Sequence, residues 1–217
     1  MTKTGEAARP TPTIEPETLA ETWFLYQKQI LIGAIVLAAG GGGFWLWQRS
    51  GQIKEEKAAA AFQVAEASFM SGNQQLAVTE LEKIVTRYKG TTAGTQASML
   101  MAQALYEAGK HSEGIAQLEG ALASSPAALR AGILALIGAG HEGAGKPGDA
   151  AVAFGKAAAA SQFEIDRDMQ RMEQARNLVA AGDVDGARKL YEEIAAREDS
   201  PFAGEAKVRI GEVTAKQ

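Results

Sequence analysis

Beyond residue 51 the apolar side chains recur at spacings of three, four and seven residues, which is the pattern of amphipathic α-helices. Phe62, Ala65 and Phe69 share one face of a first predicted helix. After a short break, a second predicted helix has its apolar positions at Ala77, Leu81 and Ile84. The same succession of helix, break and helix continues to about residue 200, so the pattern predicts an all-α fold for this part of the chain.

The breaks between these predicted helices contain a glycine at a regular interval. Glycine stands at Gly72, Gly109, Gly145 and Gly182, at intervals of 37, 36 and 37 residues. Five residues after each glycine the chain has a small residue, at Ala77, Gly114, Ala150 and Ala187. Glycine supplies the left-handed conformation that ends a helix, and a small residue suits the point where two helices touch. A repeat of about 20–50 residues is typical of solenoids.

This periodicity predicts about four helical hairpins that stack on one another, because no single hairpin can bury its apolar face alone. A further helix after the last hairpin would cover the final exposed face. The predicted boundaries are residues 58–90, 95–127, 131–163 and 168–200 for the hairpins and 202–217 for the capping helix, all within a repeat domain of residues 51–217.

A different pattern occupies residues 30–47, which are 18 residues without a charged side chain between Lys28 and Arg49. At 1.5 Å per residue they cover roughly 27 Å, close to the ~30 Å hydrocarbon core of a bilayer. We therefore predict a single transmembrane helix within residues 16–50. Aromatic rings that suit the headgroup level flank it, at Trp23, Tyr26, Trp45 and Trp47. A cleaved signal peptide is the alternative, but residues 48–57 (QRSGQIKEEK), which follow the apolar segment directly, contain no small-x-small cleavage site.

Small residues dominate part of this apolar segment, and the glycines are Gly33, Gly40, Gly41, Gly42 and Gly43. Glycines of this kind let a partner helix, or a flat group held by a partner, approach the backbone closely. The alternative is that membrane helices simply tolerate glycine. We favour lateral packing against a partner because four glycines stand in a row.

The tail of residues 1–15 is rich in Thr, Pro and Ala, so we expect it to be disordered unless a partner orders it. The basic residues that flank the apolar segment do not decide its orientation, because long domains are translocated largely regardless of charge.

The charge and composition of the chain bear on its partners. The net charge is −4, and residues 51–217 contain 18 Lys and Arg against 22 Asp and Glu. A nucleic-acid partner is therefore not expected, since phosphate binding needs a basic surface. The chain has no cysteine, which excludes disulfides and thiolate metal sites.

One segment, residues 140–147 (GHEGAGKP), is close to the phosphate-loop template but has proline where the template has Ser or Thr. We expect no nucleotide there, because the magnesium ligand is absent and the segment falls on a predicted interhelical turn.

His111 and His141 are the only histidines and have no partner ligand nearby in the sequence. No nucleophile, base and orienting group can be assigned, so we expect no enzyme activity, no metal and no cofactor.

The repeated positions resemble the tetratricopeptide repeat (TPR). Its small residue at position 8 corresponds to Ala65, Ala102, Gly138 and Ala175, and its large apolar residue at position 24 to Leu81, Leu118, Phe154 and Tyr191. Its alanine at position 27 corresponds to Ala121 and Ala157. The units are degenerate, since Gly114 replaces an alanine, the usual tryptophan is absent and the period exceeds 34 residues.

The layout of tail, single span and degenerate repeats is similar to the bacterial family of ancillary Sec translocon subunits with a TPR-like domain. This resemblance implies an inner-membrane protein with a cytoplasmic N-terminus, a periplasmic repeat domain and no catalysis. It also implies a scaffold whose partners are a membrane protein complex and periplasmic chaperones or client proteins. The alternative is a structural subunit of another large inner-membrane complex, of the energy-converting, photosynthetic or secretion type, held through its span and tail.

The TPR resemblance places a partner-binding groove on the leading helices of the hairpins. Met and aromatic side chains suit adaptable contacts with apolar peptides or helices, although the same residues could instead fill the seams between repeats. The predicted groove residues are Phe62, Phe69, Met70, Met99, Gln103, Tyr106, Met169, Met172 and Arg176.

Overall fold

The computed structural model describes residues 16–215, with side chains from residue 26 onward except at positions 30 and 74. The predicted disordered tail and the side chain of Trp23 lie outside the described residues. All the regular elements between residues 16 and 215 are α-helices, which confirms the all-α prediction. They are α1 (Pro16–Met70), α2 (Gln74–Arg87), α3 (Thr92–Glu107), α4 (His111–Leu122), α5 (Ala127–Gly143), α6 (Pro147–Ala160), α7 (Glu164–Ala181), α8 (Val184–Ala195) and α9 (Ala203–Thr214).

The chain divides into two compact units, Met1–Gly51 and Gln52–Gln217. Helix α1 runs through the division, so it contains both the predicted membrane segment and the leading helix of the first hairpin. No proline follows Pro16 within α1, and Gly51 alone does not end the helix. From residue 52 onward the helices form four successive hairpins (the end of α1 with α2, α3 with α4, α5 with α6, α7 with α8) and the final helix α9.

The four periodic glycines end the leading helices in the left-handed region, as the sequence predicts. Their φ angles are +80° at Gly72, +73° at Gly109, +71° at Gly145 and +89° at Gly182. At each glycine the next backbone N–H donates to the carbonyl five residues earlier, as in a Schellman motif. These hydrogen bonds are Asn73 N to Ser68 O (3.1 Å), Lys110 N to Leu105 O (2.8 Å), Lys146 N to His141 O (2.9 Å) and Asp183 N to Leu178 O (2.9 Å).

The small residues five positions later lie where each trailing helix packs against its neighbours. Ala77, Ala150 and Ala187 are completely buried. At Gly114 an added Cβ would lie 2.4 Å from Cε1 of Tyr106, so the helices approach too closely for a larger residue. The prediction that these positions mark helix contacts is confirmed.

Three apolar clusters contribute to the core of the repeat unit, two of them between consecutive hairpins and the third between the fourth hairpin and α9. The cluster between α1, α2 and α3 contains Ala65, Leu81, Ile84 and Ala97. The cluster between α3, α4, α5 and α6 contains Ala102, Ile115, Leu118, Ile133, Ile137 and Ala153. The cluster between α7, α8 and α9 contains Met172, Ala175, Ala187, Tyr191, Ile194, Ala206 and Val213, so α9 covers the last hairpin as a capping helix.

Polar contacts attach the last part of α1 to the second hairpin. The two carboxylate oxygens of Glu55 accept hydrogen bonds from the first amides of α3, Thr92 N at 3.0 Å and Ala93 N at 3.2 Å. A carboxylate at a helix N-terminus satisfies free N–H groups and complements the helix dipole. Lys54 Nζ donates to the Lys89 carbonyl at 3.1 Å. The end of α1 is therefore held by hydrogen bonds as well as by apolar packing.

Candidate partner-binding surfaces

Four of the predicted groove residues pack against the core clusters. Phe62 contacts the first cluster, Met99 and Tyr106 contact the second, and Met172 is buried within the third. A Cβ added at Gly132 would lie 3.2 Å from the Met99 methyl group, so Met99 fills the seam between α3 and α5. Phe62, Met99 and Tyr106 stabilise contacts between hairpins, and Met172 stabilises the packing of the fourth hairpin with α9. A role of these side chains in partner binding stays a prediction.

Tyr106 is the most constrained of the predicted groove residues. Its hydroxyl donates a hydrogen bond to the carbonyl of Leu136 at 3.1 Å, and its ring stacks on His111 with centroids 5.6 Å apart. A Cβ added at Gly140 would lie 2.3 Å from the hydroxyl oxygen. Burial raises the pKa of Tyr106 to about 12, because the charged phenolate would lose its water. Tyr106 therefore connects the second hairpin to the third.

The remaining apolar members of the predicted groove are more accessible. Met70 is 80% exposed at the end of α1, and Met169 is 43% exposed on α7. Gln103 is exposed and Phe69 is half-buried. The structure brings Met169, Met172 and Arg176 together in one small cavity of about 80 Å³ bounded by α7, α8 and α9. Of the predicted set, these three residues form a common surface.

Arg176 joins the leading helices of the third and fourth hairpins. Its guanidinium donates to both carboxylate oxygens of Glu142 on α5, at 2.8 and 2.9 Å, and also bonds to Glu173. Partial burial by itself would lower the pKa of Arg176, but the hydrogen bonds to Glu173 and Glu142 outweigh it and the pKa is raised. The one cation of the predicted groove is therefore paired with two carboxylates that were not part of the predicted set.

A buried carboxylate that the sequence analysis did not single out lies at the start of α7. Asp168 is 1% exposed, accepts a hydrogen bond from Ser200 Oγ at 2.6 Å and forms an ion pair with Arg197. Arg197 also bonds to Glu164 at 2.7 Å. The pair links α7 to the segment after α8, and nothing in the spacing of these residues could have indicated it.

The apolar part of α1 offers a second candidate surface. From Tyr26 onward, α1 is long enough and apolar enough to cross a membrane. None of the residues in its most apolar 18-residue stretch is buried. Trp45 and Trp47 are exposed on this helix. A Cβ added at any of the five glycines that the sequence analysis assigned to packing would meet no heavy atom within 4 Å. The glycines therefore leave room for a side chain or for a neighbouring helix.

The segment that resembles a phosphate loop forms the end of α5, the Gly145 turn and the start of α6 at Pro147. It follows a helix, whereas a phosphate loop follows a strand.

Within residues 16–215, the structure has no group of three or more His, Cys, Asp or Glu side chains able to hold a metal ion. His111 instead packs against Tyr106. A Cβ added at Gly143 would lie 2.5 Å from Cε1 of His111.

Comparison with protein families agrees with this architecture. The model of the tetratricopeptide repeat-like domain matches residues 21–165, which is more than half of the chain. The chain belongs to the tetratricopeptide repeat-like domain family. This family assignment and the hairpin geometry support a scaffold for protein–protein interaction. No curated protein matches the sequence.

Three solved structures have a similar fold at low sequence identity. A putative kinesin light chain from Podosopora anserina, with nearly identical TPR-like repeats, has a TM-score of 0.58 at 18% identity over 73% of this chain and 86% of that one. A MamA protein has a TM-score of 0.53 at 14% identity over 74% and 87%. A thermophilic TPR protein from Thermus thermophilus has a TM-score of 0.52 at 17% identity over 87% and 98%. These likenesses concern the fold alone.

Proposed function

We propose that this protein is a membrane-anchored TPR-like scaffold, an accessory subunit of membrane protein machinery of the translocon and periplasmic-chaperone type. Its apolar segment would be the single span in the bacterial inner membrane, with the N-terminus in the cytoplasm and the repeats in the periplasm. The scaffold has no catalytic role and binds neither nucleotide nor nucleic acid.

The observation that carries this proposal is the position of the family match. The match begins at residue 21, ahead of the apolar segment, and extends through three of the hairpins. The apolar segment is therefore part of what the chain shares with its family. Its side chains are exposed in the described structure, and exposed large apolar side chains in a continuous run suit lipid.

A second candidate function is a structural subunit of another large inner-membrane complex, of the energy-converting, photosynthetic or secretion type. The open space around Gly40–Gly43 favours it, because a helix with so few side chains gains stability only when a neighbour packs closely. In that case the partner would bind mainly the span and the tail, and the repeats would contribute less.

Purification of the full chain in a mild detergent, with quantitative mass spectrometry of co-eluting proteins, separates the two functions. Recovery of translocon components and chaperones supports the first proposal, and stoichiometric recovery of a different inner-membrane complex supports the second. Reporter fusions to each terminus test the topology. A C-terminal reporter active only in the cytoplasm contradicts the periplasmic assignment.

The predicted groove is tested separately with Met169→Ala, because Met169 is accessible and its truncation creates little cavity. Loss of a co-purified partner with unchanged helix content supports a binding role. Tyr106→Ala is the matched variant for a seam residue, and we expect it to lower thermal stability as well.

A further inference from the structure

An open cleft of about 690 Å³ lies between the trailing helices α6 and α8, with α7 as its floor. Val152 and Leu190 provide apolar walls, and Val152 is 59% exposed. At Gly155 an added Cβ would lie 2.8 Å from Nε2 of Gln174, so α6 and α7 are in close contact at the base of the cleft. The predicted groove on the leading helices includes none of these residues.

Three basic side chains line this cleft in a domain that carries an excess of acidic residues. Arg167 is paired with Glu164 and also donates to the Ser161 carbonyl at 3.3 Å. Lys156 and Arg171, in contrast, have no carboxylate within 4.0 Å among the side chains that the structure describes. Two cations thus remain available for an acidic ligand.

The repeat architecture provides an internal comparison for this charge. The matching cleft between α2 and α4, two repeats earlier, has a volume of about 310 Å³, and its lining includes Val85 and Lys89 as well as Gly94, Ser98 and Gln117. The interval from Gly72 to Gly145 is 73 residues. When the sequence is shifted by this interval, Gly94, Ser98 and Gln117 correspond in that order to Arg167, Arg171 and Leu190 of the later cleft. Arg167 and Arg171 therefore have no basic counterpart at the matching positions of the earlier cleft, so repeat stacking alone does not require these two cations.

We propose that the cleft between α6 and α8 docks an acidic amphipathic helix of a partner protein. Carboxylates on one side of such a helix pair with Lys156 and Arg171, while its apolar side contacts Val152 and Leu190. A helix suits the cleft better than an extended peptide, because residues 16–215 present no strand edge to pair with an extended backbone. The inference rests on the proposed scaffold function in requiring a protein partner, and it does not depend on membrane anchorage.

The test uses the full chain in phosphatidylcholine nanodiscs and a fluorescent synthetic helix of about 15 residues, or ~22 Å, with leucine on one side and glutamate on the other. The matched probe has lysine in place of every glutamate. Anisotropy is expected to show binding of the acidic helix and none of the basic helix. Lys156→Glu and Arg171→Glu are each expected to weaken acidic-helix binding at least about tenfold.

Lys83→Glu is the control, because Lys83 is exposed and occupies the register position of Lys156 in the first hairpin. It is expected to leave binding unchanged while all variants keep their helix content by circular dichroism. The proposal is overturned if neither helix binds, if both bind equally, or if Lys83→Glu and Lys156→Glu have the same effect. It is also overturned if phosphatidylglycerol vesicles, and not the acidic helix, bind in a manner that depends on Lys156.

Alkaline extraction of the same chain from membranes gives a separate readout for the proposed function. Binding of the acidic helix by a chain that is extracted at high pH would refute the anchor and leave this inference standing. Retention in the membrane without any helix binding would do the reverse.

Discussion

Replacing Gly182 with alanine tests the role of the periodic glycines. Gly182 has a φ of +89°, and a Cβ at this position would meet no heavy atom within 4 Å. The substitution therefore introduces no clash, and its effect comes from the backbone alone. An alanine in the left-handed region costs about 1–2 kcal/mol, and its restriction of the unfolded chain offsets about 0.4–1 kcal/mol. We expect a net loss of about 1 kcal/mol in the free energy of unfolding.

Gly120→Ala is the matched control. Gly120 lies inside α4 with open space around it and without a positive φ. Alanine there is expected to stabilise the protein by roughly 0.5–1 kcal/mol, because glycine is a poor helix former. For a domain of about 150–250 residues, 1 kcal/mol corresponds to about 2–4 °C in Tm. Thermal unfolding of the full chain in detergent, followed by circular dichroism, should show a lower Tm for Gly182→Ala and a higher one for Gly120→Ala. A rise in both would refute the assignment of Gly182 as a left-handed cap.

Three further predictions concern packing, capping and pH. Gly140→Ala should lower Tm by several degrees, since overpacking against Tyr106 costs about 1–3 kcal/mol, and an unchanged Tm would show that the seam is loose. Glu55→Ala should cost about 0.5–2 kcal/mol in chemical denaturation because the Thr92 and Ala93 amides lose their acceptor while the Thr91 cap remains, whereas Glu56→Ala at an exposed position should be nearly neutral. At Glu164, desolvation would raise the carboxyl pKa, but hydrogen bonds to neighbouring arginines outweigh it and the pKa is lowered. The stabilisation by the Glu164 carboxylate should be full above about pH 4.3 and should be lost as pH falls further. The Tm difference between the wild type and Glu164→Gln should therefore shrink on acidification. A difference that stays constant would contradict the lowered pKa.

The features that the sequence predicted correctly are those governed by local rules. A glycine that follows an apolar helix ends it in the left-handed region, and this rule holds at Gly72, Gly109, Gly145 and Gly182. Small residues five positions later mark close helix contacts for the same reason, since both follow from the geometry of one hairpin. The fold class could therefore be predicted without any long-range information.

Features that depend on distant pairs could not be predicted. Glu55 caps a helix that begins 37 residues later, and Asp168 pairs with Arg197 across the fourth hairpin. The TPR resemblance placed Tyr106 on a leading helix but could not show that Gly140 leaves room for its ring. The basic cleft depends on which residues of α7 form its floor, and periodicity alone does not specify this.

The most direct test of the account combines alkaline extraction with protease treatment of spheroplasts that contain the full chain. The account predicts that the protein stays in the membrane at high pH and that external protease removes residues 52–217. A chain that is released at high pH, or whose repeat domain is protected until the inner membrane is broken, would contradict the claim that a single span presents the TPR-like scaffold in the periplasm.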